Sequence, residues 1–178
     1  GTEANDRAES RVLERLFGGR ERTPPVSSTK SFFGHTLGAA AVLEATASLL
    51  CLGEGRLTPT LQFEAPRSGC HLDYVPDCNR ATAATRFLSQ NLAFGGNNCC
   101  LVLGTAGDPP PGGQGGGQGE GGEARDGGCR PVAITGVGVM SPAGVGAAAL
   151  LEALRRGESA VRRIEAFDTG GCACHRAG

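Results

Sequence analysis

Tryptophan is absent from this 178-residue chain, tyrosine and methionine occur once each, and aromatic residues make up 4% of it. So few rings argue against the base-stacking surface that single-stranded nucleic acid binds. Net charge is nearly absent too, at −1, with 17 Lys and Arg against 18 Asp and Glu. Nothing in that balance draws the chain to nucleic acid or to an anionic membrane. No run of about 18 apolar residues occurs, so no membrane-spanning helix is expected. The opening residues, GTEANDRAES, have neither the basic nor the apolar region of a signal peptide. The expected location is therefore the cytoplasm, with neither nucleic acid nor membrane as partner. The eight cysteines fit that compartment. Cys51 lies in an apolar helix-like stretch and Cys99–Cys100 in an apolar strand-like run, which reads as buried free thiols rather than a disulfide framework.

What the chain has in excess is glycine, 30 residues in all, unevenly placed. Residues 105–129, TAGDPPPGGQGGGQGEGGEARDGGC, combine glycine with three consecutive prolines and almost nothing to bury. Such a segment is a flexible linker, spanning about 25–30 Å root-mean-square. A linker of this length is unusual inside one compact domain, so it marks a boundary. Residues 1–104 read as mixed α/β. Residues 130–178 begin a second α/β unit, with a strand in RPVAITGVGVM and a helix in AAALLEALRRG.

In the first unit, Asn5 or Asp6 can cap a helix, with Glu9 three residues beyond Asp6 as capping-box partner. Ala8, Val12 and Leu16 follow at a spacing of four, and Gly18–Gly19 end the element. Leu72–Val75 and Arg86–Asn91 read as short strands and Cys99–Leu103 as a fully buried one. Between the last two lies AFGGNN, a glycine turn whose Phe94 is too apolar for mere surface.

The stretch VSSTKSFFGHTLGAAAVLE, Val26 to Glu44, carries the clearest chemistry. From Leu37 to Leu52 the only ionisable side chains are Glu44 and Cys51. A helix apolar on nearly all sides is a buried helix. A carboxylate inside it needs a partner or a proton, because an isolated buried charge is very costly. Lys30 is the nearest cation in sequence, and His35 precedes the helix. These three residues form a candidate site; by spacing alone a structural ion pair beside a solvent-facing histidine explains them equally well.

These residues resemble the β-ketoacyl-acyl-carrier-protein synthases of the thiolase-like fold, an α/β fold layered αβαβα. GTEANDRAE, VSSTKSFFGHTLGAAAVLE, LTPTL, LDYVPD and AFGGNNCCLVLG occur in the family's order and cover essentially all of residues 1–104. They correspond to the C-terminal half of a synthase. Residues 130–178, with PVAITGVGVMSPAG, LLEALRRGESAV and RIEAFDT, resemble the start of another. The chain therefore reads as the tail of one synthase joined to the head of a second, each fold present only in part.

The resemblance implies an acyltransferase that condenses an acyl thioester with a malonyl group, releasing carbon dioxide, in fatty-acid or polyketide synthesis. It implies no cofactor, the substrates riding on the phosphopantetheine of an acyl carrier protein. Partners would be that carrier protein and a second synthase copy or subunit in a dimer. His35 matches an active-site histidine that promotes malonyl decarboxylation, Lys30 the family lysine and Glu44 the glutamate that pairs with it. Phe94 with Gly95 and Gly96 matches a gating loop, and Asp6 an acidic position of open role. The family's nucleophilic cysteine sits in a strand–turn–helix elbow that neither piece reaches, and its first active-site histidine would precede Gly1. The chain alone is therefore expected to be inactive. The rival reading is a non-catalytic, chain-length-factor-like subunit, or an inactive fragment. If 178 residues are the whole polypeptide, its two pieces could pack together, the second unit's strand covering the first's sheet, although unpaired sheet edges on each half make aggregation the expected fate.

Other motifs favour structural readings. Gly136-Val137-Gly138, with Glu158 about twenty residues on, is a partial dinucleotide fingerprint, but Ser141–Pro142 stand where its third glycine belongs. Cys172, Cys174 and His175 lack zinc spacing. Cys70 and His71, as adjacent strand residues, would point to opposite faces. Arg155–Arg156 and Arg162–Arg163 read as solvated ends rather than a carrier-protein surface.

Overall fold

The computed structural model describes residues 1–76, 80–105 and 132–178. The proposed linker, residues 105–129, lies almost wholly outside them, as do Cys78 and Cys129. The described elements are mixed α and β: four α-helices and three two-stranded antiparallel sheets.

Helix α1, Glu3–Leu16, starts at Thr2, whose hydroxyl accepts from the Asn5 amide at 3.3 Å. The cap is thus three residues earlier than Asn5. Glu9 does not reach back to the cap; it accepts from Asn5 Nδ2 at 3.1 Å and from Gln90, tying α1 to the sheet. Gly19 donates to Glu14 O at 2.8 Å as the helix ends, as the Gly18–Gly19 pair led one to expect. The Ala8/Val12/Leu16 stripe faces solvent, with Val12 and Leu16 both exposed. Ser10 and Leu13 face inward instead, because α1 is held by polar contacts. Ser10 Oγ and Tyr74 Oη lie 2.8 Å apart, and Arg7 Nε donates to Ser68 O at 3.0 Å.

Helix α2 is the short turn Lys30–Phe33. Gly34, at φ 77°, ends it in a conformation that favours glycine. A 3₁₀ turn over Leu37–Ala39 then leads into α3, Ala40–Gly53. α3 is not buried all round. Ala40, Leu43, Thr46, Ala47, Cys51 and Leu52 face the core, while Val42 and Leu37 are well exposed. The sequence is apolar on every side, but neighbours cover only one side among the described residues.

Strands β1, Arg86–Leu92, and β2, Asn98–Gly104, form an antiparallel hairpin in the register Arg86↔Gly104 to Leu92↔Asn98. β1 is half-buried and packs on α3. β2 was read as fully buried and is instead largely exposed, with Leu101, Val102, Cys99 and Cys100 open to solvent. Its composition suits a strand covered on both faces, yet among the described residues it pairs with β1 alone. Leu72–Val75 forms no strand. It runs as a loop that lends Asp73 O to the Val26 amide at 2.8 Å and Val75 O to the Thr60 amide at 2.9 Å.

In the second piece, the expected strand is reduced to β3, Met140–Ser141, paired with β4, Gly144–Val145. Residues 132–139 lie in no strand. Helix α4, Ala147–Arg156, matches its expected range and ends at Gly157 in the left-handed region, φ 64°. The last pair, β5 Arg162–Arg163 with β6 Arg176–Ala177, is exposed.

One cluster joins both pieces. Phe32, Phe33, Leu43, Ala47, Cys51, Leu61, Leu150 and Leu154 form it, and Leu50, Val139 and Ala143 pack against it. Leu150 and Leu154 are four apart on α4, one face of one turn. Each fully buried side chain of this size contributes about 1.5–3 kcal/mol. At its edges Ala160 donates to Phe32 O at 2.6 Å and Arg155 Nη2 to Glu54 Oε2 at 2.6 Å. The second piece thus meets the first through a helix, where a strand was expected, since α4 carries an apolar face and residues 132–139 stay unpaired.

A buried thiol and a half-buried phenol set a pH dependence. Burial pushes the Cys51 thiol above its ordinary 9.0, opposed by a hydrogen bond with Thr58. Desolvation likewise raises the Tyr74 phenol above its ordinary 10.0. In both, the folded state prefers the neutral form. Their stabilisation is complete below those ordinary values and is lost as pH climbs through the raised ones. The urea midpoint is expected to fall between pH 9 and pH 11; a midpoint that rises over that interval contradicts the assignment.

Candidate functional site

Lys30 opens α2 and Glu44 sits one turn into α3, so the tight connection at Gly34 folds one back beside the other. Lys30 Nζ donates to Glu44 Oε1 in an ion pair. The glutamate side chain retains 14% of its exposure and the lysine 34%. The carboxylate is thus well shielded while its cation still reaches water. Such a pair depends on both members, because removing one leaves the other partly buried and uncompensated.

The short helix bearing Lys30 is braced from a distance. Ser31 Oγ donates to Ser28 O at 2.8 Å and accepts from the Leu61 amide at 2.9 Å. Thr60 Oγ1 accepts from the Ser28 amide at 3.1 Å. The LTPTL stretch, Leu57–Leu61, therefore acts as a strut for the lysine turn. Spacing alone does not reveal this, since the partners are some thirty residues apart; the two serines and Thr60 were its only trace.

His35 lies in the connection between α2 and the 3₁₀ turn, and it is exposed. The structure thus joins Lys30 with Glu44 and leaves His35 at the surface close by in sequence. Two hydroxyls flank this region without a hydrogen-bond partner among the described residues, Thr29 Oγ1 and Thr36 Oγ1. Phe94 is 98% exposed at the tip of the β1–β2 hairpin, where Gly95 and Gly96 take φ of 86° and 82° and Gly96 donates to Ala93 O at 3.2 Å. It was expected to be covered. The residues around it form a free hairpin tip, and nothing described packs on its ring.

Asp6 is engaged by Arg67 Nη1 at 2.5 Å and approaches the Gly1 amine at 3.8 Å. A depression of about 450 Å³ at the end of α1 is lined by Arg11, Glu14, Arg15, Gly18 and Gly19. It includes none of Lys30, His35 or Glu44. Cys70 is buried and His71 exposed, so the two point apart. Near the C-terminus, His175 Nδ1 lies 3.0 Å from Thr169 Oγ1 and the Cys174 thiol donates to Arg176 O at 3.2 Å. No group of three metal-ligating side chains occurs among the described residues. No described helix is long and apolar enough to cross a membrane.

The segment that carries the Lys30–Glu44 pair is also the one in which similarity to known proteins falls. Residues 1–64 match the family "Beta-ketoacyl synthase, C-terminal domain". The 3-oxoacyl-[acyl-carrier-protein] synthase 2 of Synechocystis sp. is 40% identical over 102 residues, 57% of this chain and 24% of that protein. The tetracenomycin polyketide synthase ketoacyl synthase alpha subunit of Streptomyces glaucescens is 42% identical over 103 residues, 58% of this chain and 24% of that protein. Nodulation protein E of Rhizobium sp. is 40% identical over 103 residues, 58% of this chain and 26% of that protein. The chain spans about a quarter of the length of these curated relatives.

Proposed function

We propose that this chain is part of a β-ketoacyl synthase that condenses an acyl thioester with malonyl-acyl-carrier protein in fatty-acid or polyketide synthesis. The observation that carries the reading is the Lys30–Glu44 ion pair, formed within the segment that matches the family. The parent fold would be thiolase-like and layered αβαβα. Its C-terminal half would span residues 1–104, a linker residues 105–129, and the start of a second copy residues 130–178.

In the reaction, the malonyl carboxylate leaves as carbon dioxide and its bonding electrons pass into an enolate. The enolate carbon attacks the acyl thioester and displaces a cysteine thiolate. His35 would donate an N–H to the enolate oxygen, where a donor aimed at developing charge is most effective. Lys30, fixed by Glu44, would keep the surroundings positive. Phe94 on its two-glycine turn would gate the acyl group. No cofactor is required, the substrates being carried on phosphopantetheine, and the partners would be acyl carrier protein and a second synthase copy or subunit. None of the described cysteines sits in a strand–turn–helix elbow: Cys51 is inside a helix, Cys99 and Cys100 are in β2, and Cys70, Cys172 and Cys174 are in loops. The nucleophile and the first histidine would come from outside these residues, and the chain alone would not turn over. An intact Lys30–Glu44 pair supports this reading over a chain-length-factor-like partner.

The test supplies acyl- and malonyl-carrier protein to the polypeptide purified from its source cells. Release of carbon dioxide with formation of 3-oxoacyl-carrier protein is expected, and the 178-residue chain alone should give neither. A source polypeptide that binds carrier protein and releases no carbon dioxide would leave only the non-catalytic reading.

A further inference from the structure

α2 is a single turn, Lys30–Phe33, and one turn of helix does not hold itself in water. Its shape is set by what touches it. Ser31 Oγ braces the entry side against Ser28 O and the Leu61 amide. The exit side is where His35 emerges. Gly34 donates to Lys30 O at 2.9 Å, and the carbonyls that follow have no partner in so short a helix. Gly34 takes φ 77° and Leu37 φ 49°, so His35 lies between two left-handed residues. Leucine rarely holds such a value, and this one is 78% exposed, so burial of its side chain does not impose it. Strain of this kind persists where the surroundings fix the backbone, and it gathers at functional segments.

The surroundings of this exit belong to the second piece. Ala160, itself buried, donates its amide to Phe32 O at 2.6 Å. Ser159 Oγ approaches the same carbonyl at 3.4 Å and accepts from the Val161 amide at 3.3 Å. Val161 comes so close to Gly34 that a Cβ added to the glycine would meet its side chain at 4.0 Å. Gly178 lies over the next carbonyl, where a Cβ would stand 2.5 Å from Phe33 O. Phe32, Phe33 and Gly34 are thus covered by the second piece immediately before His35.

We propose that Ser159 and Ala160 are positioning residues: by gripping Phe32 O they fix the turn that presents His35, so the second piece holds the first piece's site in shape. The inference rests on the synthase reading for what His35 does, and on geometry alone for how its turn is held. Without the grip the turn opens locally, Gly34 releases Lys30 O and His35 samples other positions. Its N–H would then miss the enolate oxygen in part of the population, which lowers turnover and leaves substrate affinity as it is.

Ala160→Pro removes the donor, and Ala160→Gly keeps it. Nuclear magnetic resonance of the full 178-residue chain reads the outcome at the His35 ring and the Gly34 amide. His71, exposed in the loop beside α1, is the ring control. Ala160→Pro is expected to shift and broaden the His35 signal and to speed Gly34 amide exchange about tenfold, the cost of one hydrogen bond. The His71 signal should stay in place, and Ala160→Gly should match the wild type throughout. If Ala160→Pro fails to fold, Ser159→Ala decides by the same two signals, and Ser159→Thr should restore them. In the source polypeptide, Ala160→Pro should lower kcat for carbon dioxide release about tenfold with KM unchanged. A folded Ala160→Pro chain whose His35 and Gly34 signals equal the wild type's overturns the proposal, as does a change that Ala160→Gly reproduces. If the wild-type source polypeptide releases no carbon dioxide, the synthase reading falls, and the His35 and Gly34 signals still decide how the turn is held.

Discussion

Leu150→Ala is expected to lower the unfolding free energy of the full chain by about 2–5 kcal/mol, the usual range for a buried leucine truncated to alanine. Leu150 is 1% exposed and sits with Phe32, Phe33, Leu43 and Ala47, all contributed by the other piece. The removed atoms lose their burial, and the aromatic neighbours cannot collapse fully into the gap. Small domains have only about 5–15 kcal/mol in hand, so the loss is a large fraction of the whole. Leu154→Ala should cost a similar amount, and the double variant less than the sum, because the two share one cavity. Val145→Ala is the control: Val145 is 74% exposed, and its truncation should stay within about 0.5 kcal/mol. Urea unfolding measures all four. If the leucine variants match the control, α4 does not hold the two pieces together.

The second large effect falls on chemistry. In the source polypeptide, His35→Ala is expected to reduce carbon dioxide release about 10²–10³-fold, the cost of removing one donor from a developing oxyanion. The same substitution in the 178-residue chain should leave stability within about 0.5 kcal/mol, because His35 is exposed. That contrast separates a chemical role from a structural one. A loss of stability with an unchanged rate would assign His35 to the fold and remove it from the mechanism. Glu44→Gln should behave differently, since Glu44 is shielded and ion-paired with Lys30. It would weaken the fold as well as the rate.

The Lys30–Glu44 ion pair was legible because it is local. A lone carboxylate in an apolar helix needs a cation, Lys30 is the nearest, and the pair forms. α4 was legible from its apolar spacing and its closing glycine. What escaped was whatever depends on neighbours far away in sequence. α3 and β2 have the composition of elements covered on all sides, and composition cannot report which neighbours are there. Val42, Leu101 and Phe94 therefore face solvent despite their character. The Ala8/Val12/Leu16 stripe misled for the opposite reason. α1 is oriented by Ser10 with Tyr74 and Glu9 with Gln90, contacts spanning more than sixty residues that outweigh one apolar row. The cap at Thr2 was missed because Asn5 and Asp6 are equally good capping types.

The central claim is that these residues belong to a larger condensing enzyme, with the tail of one synthase joined to the head of another. Intact mass spectrometry of the polypeptide from its source cells tests it most directly. The account predicts a mass several-fold above 18.1 kDa, with an active-site histidine immediately before Gly1. A natural polypeptide of about 18.1 kDa would contradict it, leaving the role proposed for His35 and the Lys30–Glu44 pair without a nucleophile.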